Sequence, residues 1–553
     1  MGCIRIASIS DIEPEDDSVN LRSLADNSWC RFFLYLILVV VLRWDSLGAP
    51  LIGDSASYIM PTVFRLQRDG LELWPEARYL GEAGYGHPFL VFHLLVLVHK
   101  LGIPSPMASH GLILLFSALA LFACDRLGSA LVGSAGGLAA GLLFLATPIF
   151  IAQAGLVRLA MPLTAFMVLT LYGAVSNRWW AVALFGSLAV LSKEPGVWFI
   201  PPVALLALVS GDWRTRFRRV IAAGIPGIVF VLWMLGSKLT MGLWINRPGV
   251  RWEYIGPMYR FSELFSGDGR FYISIVLFLI VVWRAWMVRW HLRLLLFPLL
   301  IGLFWTLFPL LQGTIRYNPK DLPFVLLGLT AFFLGIGTLW KKREVMLWGI
   351  IFVHLIILSG LRETMPRYLI PALAVFVVLF IRAVWEVPRP TFRYIMIIPA
   401  LILFVIQWHR GLESFGNLNY RIELQGHLEL SDYMQTNLQS KRILYDGAGH
   451  IFRDPRYGFV TVPLDVYGGK SRPEQPGQDL PDRVLTTVSP PGFQHRISVE
   501  KKYIRQLEQR LGVTLRLEKE VRNPRFRGRI YRVVKRGSIK PKAKRGKPEN
   551  RSR

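Results

Sequence analysis

An acidic side chain just after the first long apolar run is the first candidate for chemistry. Asp54 lies in the stretch GDSASY at 53–58, at a membrane boundary if that run crosses a bilayer. A carboxylate so placed can exchange protons with a substrate. It can equally cap the N-terminus of a following helix, whose dipole favours the ionised form. Pro61 leaves open whether that helix begins at Asp54 or only at the proline.

Cations near the ends of apolar runs are the second set of candidates, because Arg and Lys bind phosphate. The set comprises Lys193, Arg247, Arg251, Arg316 and Arg367. For Lys193, an ion pair with the adjacent Glu194 or a snorkelling side chain is the alternative. For Arg247 and Arg251, which lie beside Trp252, the alternative is anchoring at the membrane interface. The last two each precede a tyrosine in a predicted outer loop.

The composition indicates a membrane protein. The chain has 553 residues, of which 53% are hydrophobic, and apolar runs of about 15 to 22 residues recur as far as residue 408. A helix can satisfy its own backbone hydrogen bonds in hydrocarbon. The net charge of +27 lies mainly in short loops and in the tail, which excludes nucleic-acid binding as the reason for it. Three scattered cysteines predict neither a disulfide framework nor a zinc site.

Basic loops predict the topology, because positive charge collects on the cytoplasmic side. The cytoplasmic series is Arg126, Arg178, 214–219, 284–293, 341–343 and 382–393. This assignment requires the apolar stretch 87–101 to lie at the membrane surface. The predicted spans are 31–47, 109–124, 134–152, 161–176, 179–192, 196–210, 219–241, 271–284, 294–311, 322–340, 345–360, 368–385 and 394–409. They make about thirteen transmembrane helices, with the C-terminus outside.

Four regions follow from these spans. Residues 1–30 are a cytoplasmic segment, and its acidic stretch at 11–17 favours an uncleaved signal anchor over a cleaved signal peptide. Residues 31–410 are the transmembrane domain, which includes a first extracytoplasmic loop at 48–108. Residues 411–534 are predicted to be a small extracytoplasmic α/β domain, with helices at 428–438 and 499–511 and strands at 442–445, 514–520 and 528–534. Residues 535–553 are a basic tail, read as disordered, with anionic lipid or glycan as the alternative partner.

Five short motifs resemble those of the C-type glycosyltransferase superfamily, and within it family 39, the protein O-mannosyltransferase and aminoarabinose-transferase branch. The motifs are DSASY at 54–58, GHPFL at 86–90, RLAMPL at 158–163, LSKEP at 191–195 and RYLIP at 367–371. Each is weak alone, and their order and spacing carry the resemblance. It covers residues 30 to 210 best.

The resemblance implies a multi-pass enzyme with an inverting mechanism and a polyprenyl- or dolichyl-phosphate sugar as donor. Asp54 would be the catalytic base, because an acceptor hydroxyl needs a proton acceptor. The five cations would bind the donor phosphate, whose negative charge develops as it departs. Residues predicted to line the substrate cavity are Tyr58, Glu82, His87 and Arg158, although His87 can also simply stand at a helix start.

Three positions depart from the family pattern. Ala160 stands where relatives usually carry an Asp, and Ser55 and Ser57 replace a Glu and an Arg. The missing acid argues against a two-carboxylate metal site, so we expect no metal and no certain cofactor. Glu72, Glu76 or Glu82 could substitute, but the sequence selects none.

The sequence therefore predicts a multi-pass membrane glycosyltransferase of a bacterial inner membrane, with its active site facing outward. Its acceptor would be a protein, a lipid or a cell-envelope glycan such as lipopolysaccharide. Two alternatives stay open: a lipid or sugar transporter, and a non-catalytic scaffold with the same architecture.

Overall fold

The computed structural model describes most of the chain. The described residues are 27–51, 53–73, 87–241, 264–265, 270–287, 322–336, 339–359, 366–414, 420–445, 450–468, 481–488, 504–509, 513–523 and 526–535. The predicted span 294–311 and the residues Glu76, Glu82, Arg247, Arg251 and Arg316 lie outside them. So do the first 26 residues and nearly all of the predicted tail.

Helices dominate the first half of the chain, because its apolar runs must satisfy their backbone groups internally. They are α1 (Ser28–Leu42), α2 (Trp44–Leu47), α3 (Met60–Asp69), α4 (Leu90–His99), α5 (Ser105–Val132), α6 (Ser134–Ala146), α7 (Pro148–Ala154), α8 (Ala160–Val175), α9 (Trp179–Ser192), α10 (Ile200–Leu208) and α11 (Trp213–Met241). The predicted surface helix at 87–101 corresponds to α4. Its ten residues are too few to cross a bilayer unaided.

The second half continues the helical series. Its helices are α12 (Arg270–Met287), α13 (Leu322–Gly335), α14 (Lys342–Ser359), α15 (Ile370–Trp385), α16 (Pro390–Ser414), α17 (Tyr420–Asn437) and α18 (His450–Arg453). α15 is the most enclosed of the long apolar helices, because 89% of its 18-residue apolar stretch is buried. In α16 only 11% of the corresponding stretch is buried. α15 is therefore central, and α16 presents its apolar side chains outward, as a lipid-facing helix does.

Four helices in the described part of the chain are individually long and apolar enough to cross a membrane. They lie at Ser105–Val132, Trp213–Thr240, Arg367–Trp385 and Pro390–Gln407. The multi-pass helical class is thus confirmed, and the predicted number of thirteen stays a prediction.

The predicted span 134–152 is broken into two helices. α6 and α7 meet at a bend of 73°. Thr147 between them is extended, and Pro148 follows as the first residue of α7. Proline has no N–H to continue the ladder of α6, and it disfavours helical geometry in the residue before it. The break lets α7 turn towards the loop that carries Arg158.

A small sheet forms in the C-terminal region. Its strands are β1 (Ile443–Tyr445), β2 (Val466–Gly468), β3 (Arg483–Val488), β4 (Val513–Asn523) and β5 (Phe526–Lys535), in the order β2-β1-β3-β5-β4. The pair β4–β5 is antiparallel, and its ladder ends with Asn523 opposite Phe526. α17 packs against both of these strands. The two strands β2 and β3 were not predicted.

A buried ion pair fixes the first helix against α5. Arg31 Nη1 donates to Asp125 Oδ1 at 2.8 Å, and the Tyr35 hydroxyl donates to Asp125 Oδ2 at 2.9 Å. The Ser129 hydroxyl donates to Asp125 Oδ1 at 3.0 Å. The Asp125 side chain is fully buried. A charge in that position is tolerated only with such partners, so removal of one leaves the other uncompensated.

We expect Arg31→Ala to destabilise the protein by about 3–5 kcal/mol, because Asp125 then stays buried without its cation. Thermal unfolding of the detergent-solubilised protein measures this loss. Arg68→Ala is the matched control, because its partner Asp69 is in an exposed pair whose loss costs about 0–1 kcal/mol. Equal melting temperatures for the two variants would contradict the assignment.

Candidate active site

Asp54 begins a helical segment but does not cap it. Gly53 before it adopts a left-handed conformation with φ of +60°, which glycine adopts without strain. A π-helical turn, Ser55–Ile59, follows and runs directly into α3. Asp54 has helical dihedrals, and its side chain makes no capping hydrogen bond. The capping alternative is therefore wrong, and Pro61 lies inside a helix that has already begun.

The Asp54 carboxylate instead faces two arginines from distant parts of the chain. Arg367 Nη2 donates to Asp54 Oδ2 at 2.6 Å, and Arg158 Nε lies 3.8 Å from the same oxygen. The Asp54 side chain is 31% exposed, while those of Arg367 and Arg158 are only 10% and 11% exposed. Nearly buried guanidinium groups thus hold a carboxylate that still reaches solvent. Charge-assisted contacts of this kind are short and strong.

Backbone contacts hold these residues in place. The Ser55 hydroxyl donates to the carbonyl of Val157 at 2.9 Å, which joins the π-helical turn to the loop that carries Arg158. Arg367 lies in a 3₁₀ turn, Pro366–Leu369, at the start of α15. His354 Nε2 lies 2.6 Å from the carbonyl oxygen of Tyr368 in that turn. The turn before α15 thereby brings Arg367 to the segment between α2 and α3.

Lys193 joins the cluster from the end of α9. Its ammonium group lies 4.1 Å from the centre of the Tyr368 ring, a cation–π distance. Arg367 also lies over this ring, at 5.5 Å. Lys193 is 7% exposed. A snorkelling lysine would extend towards water, so burial against Tyr368 contradicts that alternative.

Glu194 pairs with His87. Its two carboxylate oxygens lie 2.8 and 3.0 Å from His87 Nδ1. The ion pairs found between described residues include this one and none between Glu194 and Lys193. The Tyr58 ring lies 5.6 Å from the His87 ring. His87 therefore does more than start a helix: it links the segment before α4 to the segment after α9.

The surroundings of Asp54 set its protonation. Burial opposes ionisation, but the positive charges of Arg158, Arg367 and Lys193 outweigh it, and the pKa of Asp54 falls below its ordinary value. Burial raises the pKa of Tyr58, and Asp54 raises it further. The carboxylate is therefore ionised near neutral pH, and the phenol is not.

The structure brings together six of the ten predicted site residues. Asp54, Tyr58, His87, Arg158, Lys193 and Arg367 lie in one cluster. Glu82, Arg247, Arg251 and Arg316 lie outside the described residues. Two features of the cluster were not predicted. One is the presence of Tyr368, and the other is the pairing of Glu194 with His87. Tyr368 stood in the quoted RYLIP motif, where its position after Arg367 was noted but not given a role.

Comparison with known proteins adds the fold. No protein-family model matches the chain, and no curated protein matches its sequence. Among solved structures, ArnT from Cupriavidus metallidurans is similar in its apo state, with a TM-score of 0.54, and in its complex with undecaprenyl phosphate, with a TM-score of 0.51. Both comparisons have 13% sequence identity and cover 90% of this chain and 97% of ArnT.

A looser likeness is to the arabinofuranosyltransferase AftD from Mycobacteria, with a TM-score of 0.47 and 13% identity over 91% of this chain and 40% of AftD. It is too loose to support an argument. The likeness to ArnT spans nearly all of both chains, and it shows the fold rather than the activity. Membership of family 39 stays a prediction. The chain has the fold of the C-type membrane glycosyltransferases.

Proposed function

We propose that the protein is a membrane glycosyltransferase that moves a sugar from a polyprenyl-phosphate-linked donor to an acceptor hydroxyl on the outer membrane face. One observation carries the proposal: Asp54 lies in contact with Arg367 and close to Arg158 and Lys193. A carboxylate beside converging cations offers a proton acceptor next to a phosphate site. These are the two groups that glycosyl transfer from a lipid phosphate requires.

The cations provide the donor side of the site. Three positive side chains converge, while the nearest second carboxylate, Glu194, is already paired with His87. A departing phosphate gains negative charge, and fixed cations in a partly dry site stabilise that charge strongly. The complex of ArnT with undecaprenyl phosphate supports a donor of this lipid class.

Asp54 provides the acceptor side. Its lowered pKa makes it a weak base as long as Arg367 and Arg158 bind it. A donor phosphate competes for the same guanidinium groups, so its arrival weakens their hold on Asp54 and raises the basicity of the carboxylate. The carboxylate then accepts the acceptor's proton as the hydroxyl oxygen attacks the sugar carbon. Attack from the face opposite the phosphate gives inversion.

The reaction requires no metal in this proposal. Ala160 is buried at the start of α8, where a second acid would be needed. Among the described residues, no group of three or more His, Cys, Asp or Glu side chains is placed to hold an ion. Guanidinium and ammonium groups take the role that a metal ion has in other phosphate sites.

The location of the cluster favours this function over the alternatives. Transporters bind substrate near the bilayer midplane, at breaks in helices. Here the cluster forms at the ends of α9 and α15, where Lys193 and Arg367 flank the spans. A scaffold would have no use for a half-exposed carboxylate held by nearly buried arginines. From the predicted topology, we propose that the active site faces outward from a bacterial inner membrane.

We expect Asp54→Asn to lower the release of polyprenyl phosphate at least about 100-fold, because a positioned base contributes about 10²–10⁴ to the rate. Release is measured with a radiolabelled polyprenyl-phosphate sugar in proteoliposomes supplied with cell-envelope extract as acceptor. Asp69→Asn is the control: this carboxylate ends the same helix, is exposed, and should leave the rate unchanged. An active Asp54→Asn protein would rule out the assigned base.

We expect Arg158→Gln to shift the acid limb of the pH–activity profile to higher pH. Arg158 is the strongest of the charges that lower the pKa of Asp54. Its removal raises that pKa, and because the base must be ionised, activity is then lost at a higher pH as the solution is acidified. The measurement is kcat/KM for the donor from about pH 2.5 to about pH 7, a window that extends below and above the ordinary Asp pKa of about 3.9. An unmoved limb with a lowered plateau would contradict the coupling.

A further inference from the structure

A cationic cavity lies at the opposite end of the helix bundle from Asp54. Its volume is about 410 Å³. The course of α15 shows where it lies relative to Asp54. Arg367 precedes the start of this helix beside Asp54, and Arg382 in its last turn lines the cavity. The helix rises about 1.5 Å per residue, so the two arginines are about 22 Å apart along its axis. α9 likewise runs from Trp179 at the cavity to the segment that carries Lys193.

The lining of this cavity is strongly positive. Its charged residues are Arg219, Lys341, Lys342, Arg343, Arg382 and Glu344. Glu344 is buried and already engaged, since Arg382 Nε donates to its Oε1 at 3.1 Å and the backbone N–H of Lys341 donates to its Oε2 at 3.1 Å. Arg382 also pairs with Glu386. The one acid in the lining therefore neutralises Arg382, and the other four cations remain in excess.

Two of these four cations have an ordinary structural role. Lys342 Nζ donates to the carbonyl of Val209 at 3.0 Å, and Arg219 Nη1 donates to that of Ser210 at 2.9 Å. Both carbonyls follow the C-terminus of α10, where cations commonly bind. Capping of α10 does not explain why the exposed side chains of Lys341 and Arg343 also line the cavity. It also does not account for Arg219 Nε, which is buried without a hydrogen-bond partner among the described residues.

The ordinary clustering of positive charge in cytoplasmic loops does not account for the cavity either. Arg214 and Arg218 show what that rule produces, because both are exposed and neither lines the cavity. The cavity gathers its charges from three separate segments: the start of α11, the residues before and within the first turn of α14, and the end of α15. A volume of about 410 Å³ lies within the range of about 300–1,000 Å³ that is typical of small-molecule sites.

Tryptophans at this end place the cavity at the level of the lipid head groups. The Arg219 guanidinium lies 5.6 Å from the Trp179 ring, and Trp180 and Trp213 nearby are 64% and 76% exposed. Exposed tryptophans of a membrane protein concentrate at the membrane–water interface. α11 starts at this end of the bundle. Only 28% of its 18-residue apolar stretch is buried, so it presents an apolar surface to lipid.

We propose that this cavity binds the phosphate head group of an anionic membrane lipid, at a site separate from Asp54 and on the opposite membrane face. The phosphate contacts Lys341, Arg343 and the Nε–H of Arg219, and the acyl chains extend along the lipid-facing side of α11. The bound lipid bridges the start of α11, the first turn of α14 and the end of α15, which all line the cavity. By the predicted topology this is the cytoplasmic leaflet.

Lipid binding to the purified full-length protein tests the proposal. The variant Lys341→Gln/Arg343→Gln removes two lining charges, and Arg214→Gln/Arg218→Gln removes two charges from the exposed surface of the same face. Native mass spectrometry and thermal unfolding are measured with dioleoyl phosphatidylglycerol, with dioleoyl phosphatidylcholine, and with soluble glycerol phosphate. We expect phosphatidylglycerol alone to stabilise the wild type and the surface variant. Its affinity for the cavity variant should fall at least about tenfold.

Three results would overturn the proposal. Equal loss of lipid affinity in both variants would show a general attraction of charge to the membrane. Unchanged affinity in the cavity variant, or in Arg219→Gln as a second probe of the site, would show that the lipid binds elsewhere. Soluble glycerol phosphate that stabilises the protein as strongly as the lipid, with the same dependence on Lys341 and Arg343, would identify the ligand as a soluble anion.

Discussion

The contact between Asp54 and Arg367 is the interaction on which the account of the active site depends. It joins residues 313 positions apart at 2.6 Å, and the arginine side of the pair is nearly buried. A guanidinium in that position needs an anion, and in this structure Asp54 is that anion. The same pairing holds the segment between α2 and α3 at the start of α15. Before a donor phosphate binds, the Asp54 carboxylate would therefore hold the cations of the site close together.

Two helices of the bundle, α9 and α15, each connect the cluster around Asp54 to the cavity at the opposite end. α15 bears Arg367 near one end and Arg382 near the other, and α9 separates Trp179 from Lys193. Side chains between the two ends of α15 are almost wholly apolar and buried. This apolar layer separates the two cationic clusters by about 22 Å along the axis of α15.

The sequence predicted the helical framework well, because apolar runs must form helices in a membrane. It also selected Asp54, Lys193 and Arg367 as candidates. Charged residues beside apolar runs are few, because placing a charge near the membrane interior costs free energy. The sequence did not predict the bend before Pro148, although proline disfavours a helix at the residue before it. It also missed the strands β2, which has only three residues, and β3, whose sequence RVLTTV does not alternate strictly between apolar and polar residues. The pairing of His87 with Glu194 joins residues 107 positions apart, and only the fold brings them together.

A structure of the protein with bound polyprenyl phosphate tests the central claim most directly. The account predicts a phosphate oxygen within about 3 Å of the Arg367 guanidinium and a second cation from Arg158 or Lys193 at the same group. It also predicts that the distance between Arg367 and the Asp54 carboxylate increases from its present 2.6 Å. A phosphate bound away from these cations, with the contact between Asp54 and Arg367 unchanged, would contradict the account.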